Sequence, residues 1–162
     1  MTEHEIREAR LEDASALARL HVECWDETYR GLLPDSEIDA RDYEVRLPQW
    51  RRMLQEASTR VAFAPDVGFA QSGPQRDKRL SAWPDELLAL YTLHSAHGTG
   101  LGRALFERVR PERPFTAVVL AGNDRACAFY EKMGGQLIER RPEHIGHASI
   151  TDLIYGFEGA AK

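Results

Sequence analysis

Apolar positions change their spacing along the chain, and each change predicts an element. His4 to Ala9 reads as a first strand, and Glu12 to Trp25 as a helix, because Ala14, Leu17, Leu20, His21 and Cys24 recur at helical spacing behind Asp13. Asp26 to Pro34 carries Tyr29, Gly31 and Pro34 and reads as a loop. Asp35 and Ser36 are placed to cap a short helix, and a longer one is expected from Glu44 to Glu56. Thr59 to Ala64 predicts a short strand and Val67 to Gln71 a weaker one, followed by a polar loop holding Gly73 and Pro74. Glu86 to Leu93 is almost continuously apolar, as expected of a central strand buried on both faces. Beyond it come glycine-rich His97 to Gly102, a helix from Arg103 to Val109 stopped before Pro111, and a strand from Phe115 to Leu120. Asn123 caps a helix whose Ala126, Phe129, Tyr130 and Met133 share a face, with Gly134 and Gly135 as its stop. Strands Gln136 to Arg140 and Ser149 to Phe157 close an α/β pattern.

Length and charge narrow this picture. At 162 residues, with neither repeat nor linker, the chain is expected to form a single domain spanning 1–162. A formal net charge of -5 and a pI near 5.7 argue against nucleic acid, whose binding draws on surplus Lys and Arg. No apolar run reaches the roughly 20 residues that cross a bilayer, and no signal-like start is present, so no membrane partner and a cytoplasmic location are expected. Cys24 and Cys127 stand far apart, outside any metal or disulfide spacing. The pairs His94/His97 and His144/His147 lack companions that would complete a metal site, so no metal is expected.

The chemistry concentrates at Gly98-Thr99-Gly100-Leu101-Gly102, between strand and helix. Such a loop presents consecutive backbone N–H groups at a helix N-terminus, where partial positive charge favours an anion such as a diphosphate. Glycine lets the backbone approach phosphate closely, and Arg103 adds charge at the mouth. A nucleotide P-loop would need Gly-Lys-Ser/Thr where this chain has Gly102-Arg103-Ala104. A dinucleotide fold would place its glycines after the first strand, with an acid where Leu120 stands.

The run Leu90 to Leu105 resembles the coenzyme A motif, Q/R-x-x-G-x-G/A, of the Gcn5-related N-acetyltransferases, and Asn123 to Gly134 resembles that family's N-x-x-A-x-x-F-Y-x-x-x-G helix. His21 to Pro34, with Trp25, Tyr29 and Gly31, is similar to the helix and loop that open many bacterial members. The chain departs from the pattern at His97 in place of Gln or Arg, at Thr99 in place of a basic residue, at Gly135 where Phe often follows, and at His94 in a common proline position. The resemblance implies a mixed, mostly antiparallel sheet of six to seven strands, flanked by helices, whose central strands Glu86 to Leu93 and Phe115 to Leu120 splay apart.

It also implies an acyltransferase moving acetyl from acetyl-coenzyme A, as co-substrate, to a primary amine of a small molecule or peptide. Coenzyme A would be held by Tyr91, Thr92, Leu93, His97, Gly98, Thr99, Gly100, Leu101, Gly102, Arg103, Asn123, Ala126, Phe129 and Tyr130, with unpaired N–H groups around Tyr91 to Leu93 taking the pantetheine. Tyr130 matches the family's general acid, and a phenol can donate a proton without first being ionised. It can equally pack beside Phe129 on the helix face. Glu86 is the leading base, against a strand-end charge facing water, a water chain, Asp85, or a histidine near the loop. Trp25 and Tyr29 would line the acceptor pocket, although their helical spacing also suits core packing. Two rival readings stay open: a non-catalytic acyl-coenzyme A sensor, and a nucleotide enzyme of Rossmann type. Edge strands near the C-terminus leave room for a homodimer.

Overall fold

The computed structural model describes residues 4–160, and its strands and helices follow the predicted order with shifted ends. The strands are β1 (Arg7–Glu8), β2 (Arg60–Ala64), β3 (Gly68–Pro74), β4 (Asp85–Thr92), β5 (Phe115–Leu120), β6 (Gln136–Ile145) and β7 (Ala148–Phe157). The helices are α1 (Ala14–Tyr29), α2 (Asp35–Asp39), α3 (Tyr43–Met53), α4 (Leu101–Val109) and α5 (Asp124–Lys132). Among the described residues the seven strands form one sheet in the order β1-β2-β3-β4-β5-β7-β6. The β4/β5 ladder is parallel, and the β1/β2, β5/β7 and β6/β7 ladders are antiparallel.

The chain forms two compact units, and it passes between them within β3, within β4 and again after α4. One contains the described residues up to Gln71 together with Ala89–Val109; the other contains Ser72–Leu88 and the described residues from Arg110 on.

In the first unit, α1 turns Ala14, Leu17, Ala18, His21 and Cys24 inward at helical spacing, and they pack with Trp50 of α3, Val61 and Phe63 of β2, and Phe69 of β3. Asp42, rather than Asp35 or Ser36, supplies a side-chain cap, accepting from the Val45 N–H at 3.1 Å at the head of α3. The first strand is shorter than expected because its ladder with β2 covers only Arg7 and Glu8. Arg7 then donates two hydrogen bonds to Asp13, at 2.8 and 2.9 Å, tying β1 to the start of α1.

In the second unit, Phe115 of β5 and Phe157 of β7 stack with ring centroids 4.7 Å apart. β6 runs five residues past its expected end, through Pro142 to Ile145. Its place at the end of the strand order explains how it tolerates Pro142, whose missing N–H costs no ladder bond on an open edge.

The expectation of a central strand buried on both faces holds for only part of β4. Glu86 and Leu87 are buried, whereas Leu88 to Thr92 are half-buried. The paired register with β5 runs from Asp85↔Phe115 to Leu87↔Ala117, so the half-buried stretch lies beyond that ladder.

Candidate active site

The glycine-rich loop belongs to the first unit, and its shape follows from a few local bonds. Leu93 donates its N–H to Val67 O at 2.9 Å, and His94 donates its N–H to the Glu27 carboxylate at 2.7 Å, which fixes the loop entry against α1. Gly98 and Gly100 then adopt left-handed backbone, with φ of 79° and 88°, a conformation that costs most side chains roughly 1–2 kcal/mol. A Cβ added at either would meet nothing within 4 Å. The Thr99 hydroxyl closes the turn, donating to Ala96 O at 2.6 Å and accepting from the Leu101 N–H at 3.4 Å. α4 starts at once, so its first amides, which no carbonyl within the helix can reach, face the loop.

Not every residue expected on this loop can serve in the same way. The Leu93 amide is taken by Val67 O, which corrects the expectation that it is unpaired. The cause is that β3-side bonding continues one residue past the end of β4. The Leu101 side chain is buried, so only its main chain faces the turn, while Arg103 is exposed. Gly68 reads from the sequence only as one glycine of a polar stretch, but a Cβ there would lie 2.8 Å from Tyr91 O and 3.2 Å from Leu105, so glycine lets β3 pass close to β4 and α4.

An aromatic cluster occupies the same unit. Trp25 and Tyr29 stand edge to face at 4.7 Å, and the Tyr29 hydroxyl meets the Tyr91 hydroxyl at 2.8 Å. Burial pushes the Tyr91 phenol above its ordinary pKa, against the pull of its bond to Tyr29. Trp50 donates its indole N–H to His21 Nδ1 at 3.1 Å, and burial, helped by the charge of Arg46, holds His21 neutral with its pKa lowered to about 3. Arg46 points inward with them, its guanidinium carbon 4.7 Å from the centre of the Trp25 ring. Sequence reasoning passed over Arg46; its one available signal is that it lies one helical turn before Trp50.

The second unit holds the remaining expected residues. Glu86 is 8% exposed, which removes the reading of a charge facing water. One of its carboxylate oxygens accepts from the Arg76 main-chain N–H at 3.1 Å and from Arg76 Nε at 2.5 Å; the other accepts from Nη2 at 3.5 Å. Asp85 is taken by Arg113, at 2.6 and 3.1 Å. Asn123 caps α5 as expected, accepting from the Ala126 N–H at 3.2 Å. Tyr130, buried one face along, has the rings of Phe129, Phe157 and Tyr155 at 5.3, 5.9 and 6.3 Å. Among the described residues no three His, Cys, Asp or Glu side chains gather as a metal site would need, and the His94 and His97 rings lie 4.9 Å apart.

Residues 67–143, which include the glycine loop and α5, match the family model for FR47-like proteins. The chain is 32% identical over 108 residues to the uncharacterized N-acetyltransferase YuaI of Bacillus subtilis. That match covers 64% of this chain and 60% of the relative, so it spans less than two thirds of the relative's length. The matched stretch is similar to FR47-like proteins and to an N-acetyltransferase, and it holds the glycine loop and α5 that carry the resemblance to the Gcn5-related N-acetyltransferases. Solved structures share its fold almost end to end. The PaiA N-acetyltransferase of Thermoplasma acidophilum, in complex with coenzyme A, is 20% identical with a TM-score of 0.68, covering 97% of this chain and 99% of that one. NAA60 of Arabidopsis thaliana, in complex with a bisubstrate analogue, is 14% identical with a TM-score of 0.72, covering 98% and 100%.

The chain departs from the Gcn5-related pattern at Gly135, and the fold accounts for it. A Cβ there would come within 2.6 Å of Phe157 and 2.9 Å of Tyr130 O, so the Phe157 ring occupies the space next to Gly135. Thr99 is accounted for as well, since its hydroxyl bonds both sides of the turn.

Proposed function

We propose that the chain is an N-acetyltransferase that passes an acetyl group directly from acetyl-coenzyme A to a primary amine of a small molecule or peptide. The observation that carries this reading is the left-handed backbone at Gly98 and Gly100, with open space where each Cβ would stand, at the head of α4. Backbone amides there suit a diphosphate. In this reading His97, Thr99, Leu101, Gly102 and Arg103 complete the cradle, Leu101 through its main chain, and Tyr91, Thr92, Asn123, Ala126 and Phe129 hold the pantetheine arm. Leu93 contributes its main-chain position, not its N–H.

The amine attacks the thioester carbonyl through its lone pair, forming the new N–C bond as the C–S bond breaks. An alkylammonium with a pKa near 10.4 has no lone pair at neutral pH, so a proton must first leave the nitrogen. Glu86 is the proposed acceptor of that proton, directly or through water; Arg76, largely exposed, must swing aside to free a carboxylate oxygen. N–H groups on β4 stabilise the charge developing on the carbonyl oxygen; the departing sulfur takes a proton from Tyr130, and the second proton that the nitrogen sheds as the amide forms restores the phenol through water. Trp25 and Tyr29 line the acceptor side. The mechanism uses no metal.

Thiol release from acetyl-coenzyme A, followed across amines, amino acids and amino-terminal peptides, tests the proposal. Turnover is expected with at least one acceptor, and Tyr130→Phe is expected to lower kcat by ~10²–10⁴ while leaving the acetyl-coenzyme A KM within a few fold. Binding of the thioester with no turnover on any acceptor would make the chain a sensor. Undiminished turnover in Tyr130→Phe would remove the acid assignment.

A further inference from the structure

Arg46 is 7% exposed, and its Nε and Nη2 are buried with no hydrogen-bond acceptor. Among the described residues no carboxylate lies within 4.0 Å of it. Its neighbours do not cancel the charge. The hydroxyls of Tyr29 and Tyr91 bond to each other at 2.8 Å, and His21 is neutral. Arg41, which lies over the same Trp25 ring at 5.5 Å, adds a second positive charge, but Arg41 has its own counter-ion in Glu37 at 3.2 Å. Attraction to the Trp25 ring offsets part of the cost of burying Arg46 but supplies no lone pair to its N–H groups. An uncompensated buried charge is expensive, and an apolar side chain of similar length would fill the position without that cost.

The two unsatisfied nitrogens form one edge of the guanidinium. Elsewhere in this chain that same edge takes carboxylates: Arg79 grips Asp77 with Nε and Nη2, both at 3.1 Å, Arg113 grips Asp85 in the same way, and Arg76 grips Glu86. The unpaired edge of Arg46 therefore has the shape of a bidentate carboxylate site. It lies among Trp25, Tyr29 and Tyr91, the residues read above as the acceptor side, and Tyr91 stands on β4, whose amides are assigned to the thioester.

We propose that Arg46 receives a carboxylate carried by the acceptor, so that the amine acetylated belongs to a small amino acid-like molecule. This rests on the acetyltransferase reading and deepens it by naming the substrate class. A short span between carboxylate and amine suits a buried anchor that long or macromolecular acceptors reach less easily. Since neither nitrogen reaches solvent, a neighbour must move for the ligand to enter, and Arg41, 31% exposed, is placed to do so. Burial, the larger cause, and Arg41 lower the Arg46 pKa to about 10, so the guanidinium keeps its charge at neutral pH.

The test compares each L-amino acid with its carboxamide, which keeps the size and amine but removes the negative charge. For the preferred acceptor, wild-type kcat/KM is expected to favour the acid by ~10-fold or more, and Arg46→Met to reduce that preference to near unity. With coenzyme A present, the same amino acid should raise the wild-type Tm and leave that of Arg46→Met unchanged. Without ligand, Arg46→Met should melt no lower than wild type, because it removes an unpaired buried charge. Equal use of acid and carboxamide by wild type, turnover confined to polyamines or peptides, or a preference kept by Arg46→Met would overturn the inference. If acetyl-coenzyme A produced no heat of binding but an amino acid still raised Tm through Arg46, the carboxylate site would stand and the acetyltransferase reading would fail.

Discussion

The Tyr29 hydroxyl, on the last turn of α1, meets the Tyr91 hydroxyl, near the end of β4, at 2.8 Å. This bond links the helix that carries Trp25 to the strand assigned to the thioester. Tyr91→Phe deletes it while keeping both rings. The expected cost is about 1 kcal/mol in urea denaturation. The KM of the acceptor should rise more than that of acetyl-coenzyme A, because the hydroxyl pair adjoins Arg46.

His21 predicts a pH dependence of stability. Its pKa falls from the ordinary 6.5 to about 3 on folding, so between those values the unfolded chain carries a proton that the folded chain does not. The contribution of neutral His21 is complete above pH 6.5 and is lost as pH falls toward 3, at up to about 1.4 kcal/mol per pH unit. His21→Gln keeps an acceptor for the Trp50 N–H and removes the titration. Chemical denaturation from pH 7 to pH 4 should show a shallower slope for this variant than for wild type.

Gly135 predicts a loss of stability. With Phe157 at 2.6 Å and the Tyr130 carbonyl at 2.9 Å from a modest Cβ, Gly135→Ala must push the end of α5 away from β7. A loss of about 1–3 kcal/mol is expected on thermal or urea unfolding. An unchanged Tm would mean that the glycine has no packing role.

Much of the fold was legible because the pattern and the local chemistry agree. Phe115 to Leu120 was read to the residue, as its apolar run is bounded by Pro114 and by the Ala121-Gly122 turn. The loop at Gly98 and Gly100 was legible because only glycine takes that backbone without strain. Strand ends depend on partners instead. β1 is cut to two residues by its ladder, and β6 extends to Ile145 because β7 offers it a partner as far as Ala148.

The candidate site was legible in its glycines and in the α5 motif, but not in its charges. In the sequence Glu86 stays open between a base and a solvated strand end, and only the structure shows Arg76, ten residues earlier, holding it. Arg46 looks like one more polar position on a charged helix. Only three-dimensional packing shows that it shares the inward face with Trp50 and that no acid follows it there.

In the proposed reaction, main-chain amides around Gly98 and Gly100 grip a coenzyme A diphosphate. Calorimetric titration of acetyl-coenzyme A into wild type and Gly100→Ala is the sharpest test, since the added Cβ meets no protein atom within 4 Å yet strains the left-handed backbone, at φ 88°, that aims the loop amides. Saturable binding to wild type, weakened by ~10-fold or more in a variant that stays folded, is the predicted result. No heat with millimolar thioester, or equal affinity in both proteins, would contradict it.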